Sequence, residues 1–426
     1  FDITLRGVIM GYPSFHEVLE KLKVEKIHEE EWAELWDHSQ ACFSLDAEFL
    51  QKDFIVEQNQ YLHLIDEVLE MILTTLDHVR KDEYLARFLF HMNYVVFVKQ
   101  HKPAETLSLW PDLHNVLGDL RGGFDAIVYI SGIGLIKEEF RKHGIERATL
   151  EHTLYDLMEK FYRYHNTYGI WYVDCHSWMC RVFKGVFINI GRLQYEFKKN
   201  YSLKVFRHKK DDTTVAFFVN EQIVRKDGLI DGTNNVSDPD AFKTVFSEDD
   251  NTITGNPVMP TGYVSNKVII LHKEEWEIGL DVGDTVLNIH IPGGRGRMPY
   301  EDCAYSLKTA ISFYKEHYPN EHPKAFYCSS WLLGNGLELL LKEDSNIIRF
   351  QREFYLAPVK SDEKGTNFFM FGKYDISDVT PKTTLEKKLF EYMDKGIYMY
   401  NGCGFILFKD IQRYGEQYYR NRFITL

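Results

Sequence analysis

Apolar residues recur at three- and four-residue steps through the first third of the chain, then give way to alternation near residue 185. The first pattern predicts helices from 14 to about 165. Across 59–80, Leu62, Ile65, Leu69, Ile72 and Leu76 form one apolar stripe, the mark of an amphipathic helix. Residues 27–40, 83–98 and 147–164 repeat it, with breaks read at Gly122-Gly123 and at Gly144. In 187–198, Phe187, Leu193, Tyr195 and Phe197 fall on one face and Arg192, Gln194 and Glu196 on the other, which is a half-buried strand. Further strands are expected at 203–207, 214–219 and 267–271. The stretch 225–265, rich in Asp, Asn, Gly, Thr and Ser, reads as a polar hairpin or loop insertion with little core of its own.

From 285 the pattern sharpens. TVLNIHIP (285–292) predicts a strand, GGRGRM (293–298) a glycine loop, and Pro299 the first turn of a helix to about 318, with Glu301 and Asp302 suited to its positive end. A strand over 325–332, a helix after Gly334-Asn335-Gly336, strands near 366–372 and 403–408, and a helix over 384–395 follow. The expected fold class is α+β. A helical domain covers 1–165, and a domain with a twisted mixed sheet covers 166–426 and carries the 225–265 insertion.

Composition narrows the function classes. At 426 residues the chain exceeds one ordinary core. A net charge of −13 repels phosphate backbones, so nucleic acid is not expected as a partner. Six cysteines are too sparse for a disulfide scaffold, no apolar run is long enough for a membrane-spanning helix, and no basic-then-apolar pattern of the leader kind is read at the start of the sequence. The expectation is a soluble, reduced, cytoplasmic protein missing a short N-terminal piece, since it opens on Phe. Cys175, His176 and Cys180 lack a second pair at zinc spacing, so no metal is expected.

The strand–GGRGRM–helix unit is the strongest chemical signal. Glycines let backbone N–H groups approach a ligand, the helix start adds unpaired donors, and Arg295 and Arg297 add charge, a combination suited to a pyrophosphate or, equally, to a plain tight turn. The spacing fits neither the P-loop nor GxGxxG. On the preceding strand Asn288 and His290 share one face. A histidine there can act as a base near neutral pH, or simply be satisfied by a backbone carbonyl. Glu196, on a polar strand face, is the second candidate base, or a solvated face residue. Cys328 can in principle pair with a histidine but reads better as a core residue.

Strand, Gly/Arg loop, helix, strand, helix resembles the core of the GNAT acyltransferases. The strings YHNTYGIW (164–171), IGRLQYE (190–196), VLNIHIPGG (286–294), CSSWLL (328–333) and SNIIRFQREF (345–354) are similar to a bacterial two-domain group with a helical N-terminal domain. The resemblance implies acyl-CoA, or a pantetheine carrier, as co-substrate. Its pyrophosphate would lie on Gly293, Gly294, Arg295, Gly296, Arg297 and Met298, and its thioester oxygen on the backbone of 289–291, which makes Ile289 and Ile291 binding residues. His290, Glu196 and Ser330 are the catalytic candidates, with Tyr327 as a further channel contact. The implied reaction is acyl transfer to a small amine or hydroxyl acceptor. A ligand-binding protein without turnover and a carboxylate-pair hydrolase are the alternatives, and a homodimer is left open. The aromatic run 162–172 reads as an acceptor pocket or as packing between domains.

Overall fold

The computed structural model describes residues 11–25, 27–100, 109–293 and 298–423. It divides into two compact units, Phe1–Asn189 and Ile190–Leu426. The first is helical. Its principal helices are α1 (Lys52–Leu62), α2 (Asp66–Lys81), α3 (Glu83–Asn93), α4 (Arg121–Ser131), α5 (Arg147–Leu154), α6 (Asp156–Tyr168) and α7 (His176–Phe183). The stripe read as continuous over 59–80 is two helices. His63 takes a left-handed conformation (φ 50°) and ends α1, and acids at 66–67 with bases at 78, 80 and 81 then match the dipole of α2. The face that α2 buries is Val68, Ile72, Thr75, Leu76 and Val79.

Gly122 and Gly123 do not break the helix. They lie inside α4, where a side chain would collide with the Trp171 backbone and with Thr75. Their smallness serves close packing. The unit also runs past the 165/166 boundary, because α6 extends to Tyr168 and α7 packs on α4 and α5. Among the described residues no helix is long and apolar enough to cross a membrane.

The second unit contains two larger sheets. The strands that build them are β1 (Ile188–Ile190, across the unit boundary), β2 (Leu193–Lys199), β3 (Leu203–His208), β4 (Thr214–Phe218), β5 (Pro257–Met259), β6 (Tyr263–Val264), β7 (Trp276–Leu280), β8 (Thr285–His290), β9 (Ala325–Ser330), β10 (Tyr355–Pro358) and β11 (Gly402–Leu407). A six-stranded mixed sheet runs β1-β2-β8-β9-β11-β10, and a five-stranded sheet runs β6-β5-β4-β3-β7. The alternating run 187–198 is β1 and β2, separated by a turn at Gly191 (φ 58°).

One face of the mixed sheet is covered by helix α8 (Tyr300–His317): the Tyr195 hydroxyl pairs with Ser306 Oγ at 2.7 Å, and Phe197 meets Tyr314 edge-on. The opposite face packs Val286, Ala325, Tyr355, Phe405 and Leu407 against Leu203, Val205, Ala216 and Val258 of the second sheet. Each fully buried Val, Leu or Phe among them contributes roughly 1.5–3 kcal/mol. The region read as a polar insertion supplies β5 and β6 and buries Ile230, Ile253, Val258 and Val264, so it is part of the core.

Beyond β9 come α9 (Asn346–Arg352), α10 (Glu363–Phe371) and α11 (Thr384–Met393). The strand expected near 366–372 is helix α10. Asp362 caps it by accepting from Lys364 N–H, and Gly372 closes it at φ 71°. The aromatic run NFFMF has strand propensity, but the caps decide the outcome.

Candidate functional site

The site lies wholly in the second unit, where β8 and β9 part. They pair in parallel at Val286↔Ala325, Leu287↔Phe326 and Asn288↔Tyr327, and the ladder then stops. Both strands continue. β8 stays paired to β2 as far as His290↔Gln194, and β9 to β11 as far as Ser330↔Gly402. Two neighbouring strands held by their outer partners, with no pairing to each other at their C-terminal ends, leave a gap in the ladder between them.

Register decides what faces it. Glu196 lies opposite Asn288, so Glu196, Asn288 and His290 project from one side of the sheet. The His290 Nε2–Glu196 Oε1 distance is 2.7 Å, and Asn288 Nδ2 donates to the same Oε1 at 2.9 Å. Lys198 Nζ approaches that oxygen at 3.2 Å. Glu196 is 2% exposed. A buried carboxylate requires such compensation, and here three donors converge on one oxygen. Asn288 Nδ2 lies 2.9 Å from the same His290 Nε2, so the ring nitrogen, the amide and the carboxylate form one polar cluster. The carboxylate and the amide fix the ring orientation. His290 keeps partial exposure at 23% of its side chain, as a proton acceptor for a bound molecule needs.

Sequence reasoning picked His290 and Glu196 separately, and the fold brings them into contact. Ser330 is not brought to them. Alternation along β9 turns it to the α8 side, and its hydroxyl accepts from Leu332 N–H at 3.2 Å, capping the short turn Trp331–Leu333. The serine that shares the His290 face is Ser329, exposed and beyond the last β8–β9 pair. Ser329 and Asn288 are the residues that sequence reasoning passed over. Alternation placed Asn288 beside His290, but nothing in the sequence aligned it with Glu196.

Cys328 is buried and on the far face from His290. Burial pushes its thiol well above the ordinary range, so it is a poor nucleophile. Tyr327, half-buried on the His290 face, has its hydroxyl pushed up by burial too.

The Ile289 side chain packs into the core on the α8 side. Ile291 and Met298 flank the glycine loop and both pack on the cluster of Leu332, Leu337, Leu340, Ile348, Leu389 and Met399, so the two ends of the loop are anchored on one apolar floor. Gly293 is exposed, and a Cβ there would meet no atom of the described residues within 4 Å. Gly294, Arg295, Gly296 and Arg297 lie outside the described residues. Pro299 precedes the first turn of α8 as its N-cap, and Glu301 and Asp302 occupy that turn as expected.

The other residues singled out by sequence have local partners in the first unit. The 162–172 rings pack on one another, His165 stacked on Trp171 at 3.9 Å and Tyr164 tilted against Tyr168 at 4.5 Å. His176 sits between the Tyr129 hydroxyl (2.6 Å) and the Tyr172 hydroxyl (3.2 Å), stacked on Trp110. Burial pushes its pKa down to about 3, so it is a neutral hydrogen-bonding core histidine.

A family model described as GNAT-like C-terminal domain matches residues 187–406, and one described as N-acyltransferase N-terminal domain matches 53–185. No curated protein matches the chain. Among solved structures, an acyltransferase in complex with decanoyl-CoA and teicoplanin superposes with a TM-score of 0.62 at 16% identity, over 93% of this chain and 99% of that one. An acyltransferase in complex with decanoyl-CoA gives 0.61 at 17% identity, over 92% and 99%.

Proposed function

The chain belongs to the family of the GNAT-like C-terminal domain, carries the family's N-acyltransferase N-terminal domain and is an acyltransferase; from that premise we propose that it moves an acyl group from acyl-CoA to an amine by direct attack in the cleft between β8 and β9. The observation that carries this reading is the parting of two parallel strands beyond Asn288↔Tyr327 with the Glu196–His290 pair on its rim. A thioester arm laid in that gap can take hydrogen bonds from backbone that the missing ladder leaves exposed, in the manner of an added strand.

In this reading the amine nitrogen attacks the thioester carbon. The C–N bond forms, the C–S bond breaks, and the sulfur leaves as a thiolate that takes a proton from water. The proton lost by nitrogen passes to the ring of His290, whose cationic form Glu196 stabilises. The N–H groups of 289–291 are assigned to the thioester oxygen, where negative charge develops. The acyl-CoA-bound structures of the same fold support the donor, and the N-acyltransferase description favours nitrogen over a hydroxyl. Teicoplanin in one of them makes a bulky small-molecule acceptor the class to try first.

The reading is tested by calorimetric titration of CoA into the parent chain and into Gly294→Val. The parent should bind. The variant should bind about tenfold more weakly, because a β-branched side chain bars close approach of the loop backbone. No binding to the parent, or equal affinity in both, would remove the loop from the site.

A further inference from the structure

The first residue of α8 is the platform for a charged group on a different helix. The guanidinium of Arg349, on α9, lies over the Tyr300 ring at 3.8 Å. The ring is itself fixed. Its hydroxyl donates to Glu353 Oε1 at 2.7 Å, and Glu353 Oε2 accepts from Gly415 N–H at 2.9 Å. Glu353 is 5% exposed, so this anchor is internal. The chain Glu353–Tyr300–Arg349 therefore holds a guanidinium at the first turn of α8.

We infer that Arg349 binds a phosphate of acyl-CoA, with Tyr300 and Glu353 as the residues that position it. This rests on the acyl-CoA reading above. A guanidinium on an aromatic face keeps its in-plane N–H donors directed outward, which suits bidentate contact with phosphate oxygens. Its present polar partner is a poor competitor. The contact from Nη2 to Glu301 Oε1 is single, at 3.3 Å, and Glu301 is 73% exposed. An exposed, single-contact ion pair of this kind is weak enough for an incoming phosphate to displace it. The other arginine of α9, Arg352, is committed to Glu338 at 2.8 Å and to Glu343 at 3.2 Å, so only Arg349 is placed for a ligand.

The test is calorimetric titration of CoA and of 3′-dephospho-CoA into the parent, Arg349→Ala, Arg349→Lys and Glu301→Gln, at low and high salt. Arg349→Ala should weaken CoA binding by about tenfold at low salt, and by less at high salt. Arg349→Lys should fall between, since it keeps the charge and loses the fork. Glu301→Gln should bind CoA more tightly than the parent, and because that side chain is exposed the variant will fold. A loss seen with both ligands assigns Arg349 to the pyrophosphate, and a loss seen with CoA only assigns it to the 3′-phosphate. Each of these outcomes supports the inference. Parent-like affinity in Arg349→Ala together with no gain in Glu301→Gln overturns it. A parent that does not bind CoA at all overturns the acyl-CoA reading instead.

Discussion

His290→Ala should lower kcat/KM for acyl transfer by about 100- to 10,000-fold, the range for loss of a positioned general base. CoA affinity should stay within about twofold of the parent, because the ring is held by Glu196 and Asn288 on the strands and serves the amine rather than the CoA phosphates. Glu196→Gln should cost less, about tenfold, since the histidine remains but loses the charge that holds its ring and stabilises its protonated form. The double variant should be scarcely worse than His290→Ala alone, because the two side chains act as one unit. Steady-state thiol release with a fixed amine measures all three. Full activity in His290→Ala would leave a water molecule as the base and the Glu196–His290 pair as structure only.

Gly402→Ala should lower the stability of the second unit by about 3 kcal/mol or more, a drop in melting temperature of about 6–12 °C. A Cβ at 402 would fall inside the contact radius of the Leu333 carbonyl, and that oxygen belongs to backbone with no flexible side chain to yield. The turn Trp331–Leu333 lies directly on the start of β11, and only glycine permits that approach. Moving the turn also moves Ser330, whose hydroxyl caps it, and hence the end of β9 that forms one wall of the cleft. Stability and acyl transfer should fall together. A melting temperature unchanged from the parent would show that the turn can retreat at little cost.

The contrast between these positions shows what was legible in the sequence. Alternation at 285–290 and the α8 start could be read because a strand and a helix N-terminus each have a local cause. The faces of β2 and β8 could be read as well. That Glu196 and His290 meet could not, because they are 94 residues apart in the chain and only the antiparallel register joins them. That Ser329 rather than Ser330 shares the His290 face was hidden for a related reason. On adjacent residues of a strand, one position of error is a change of face. The five-stranded sheet stayed hidden because β5 and β6 are short and interrupted by turns. The helix at 363–371 stayed hidden because its aromatic residues favour a strand while its caps, which decide, lie outside the run.

The central claim is that acyl-CoA and an amine meet in the cleft between β8 and β9. The most direct measurement is mass analysis of the products formed from decanoyl-CoA and an amine panel that includes teicoplanin, with free thiol counted in parallel. The account predicts one N-decanoyl product per CoA released, and loss of both in His290→Ala. Thiol release with free decanoate and no acylated amine would make the protein a thioester hydrolase and contradict the account.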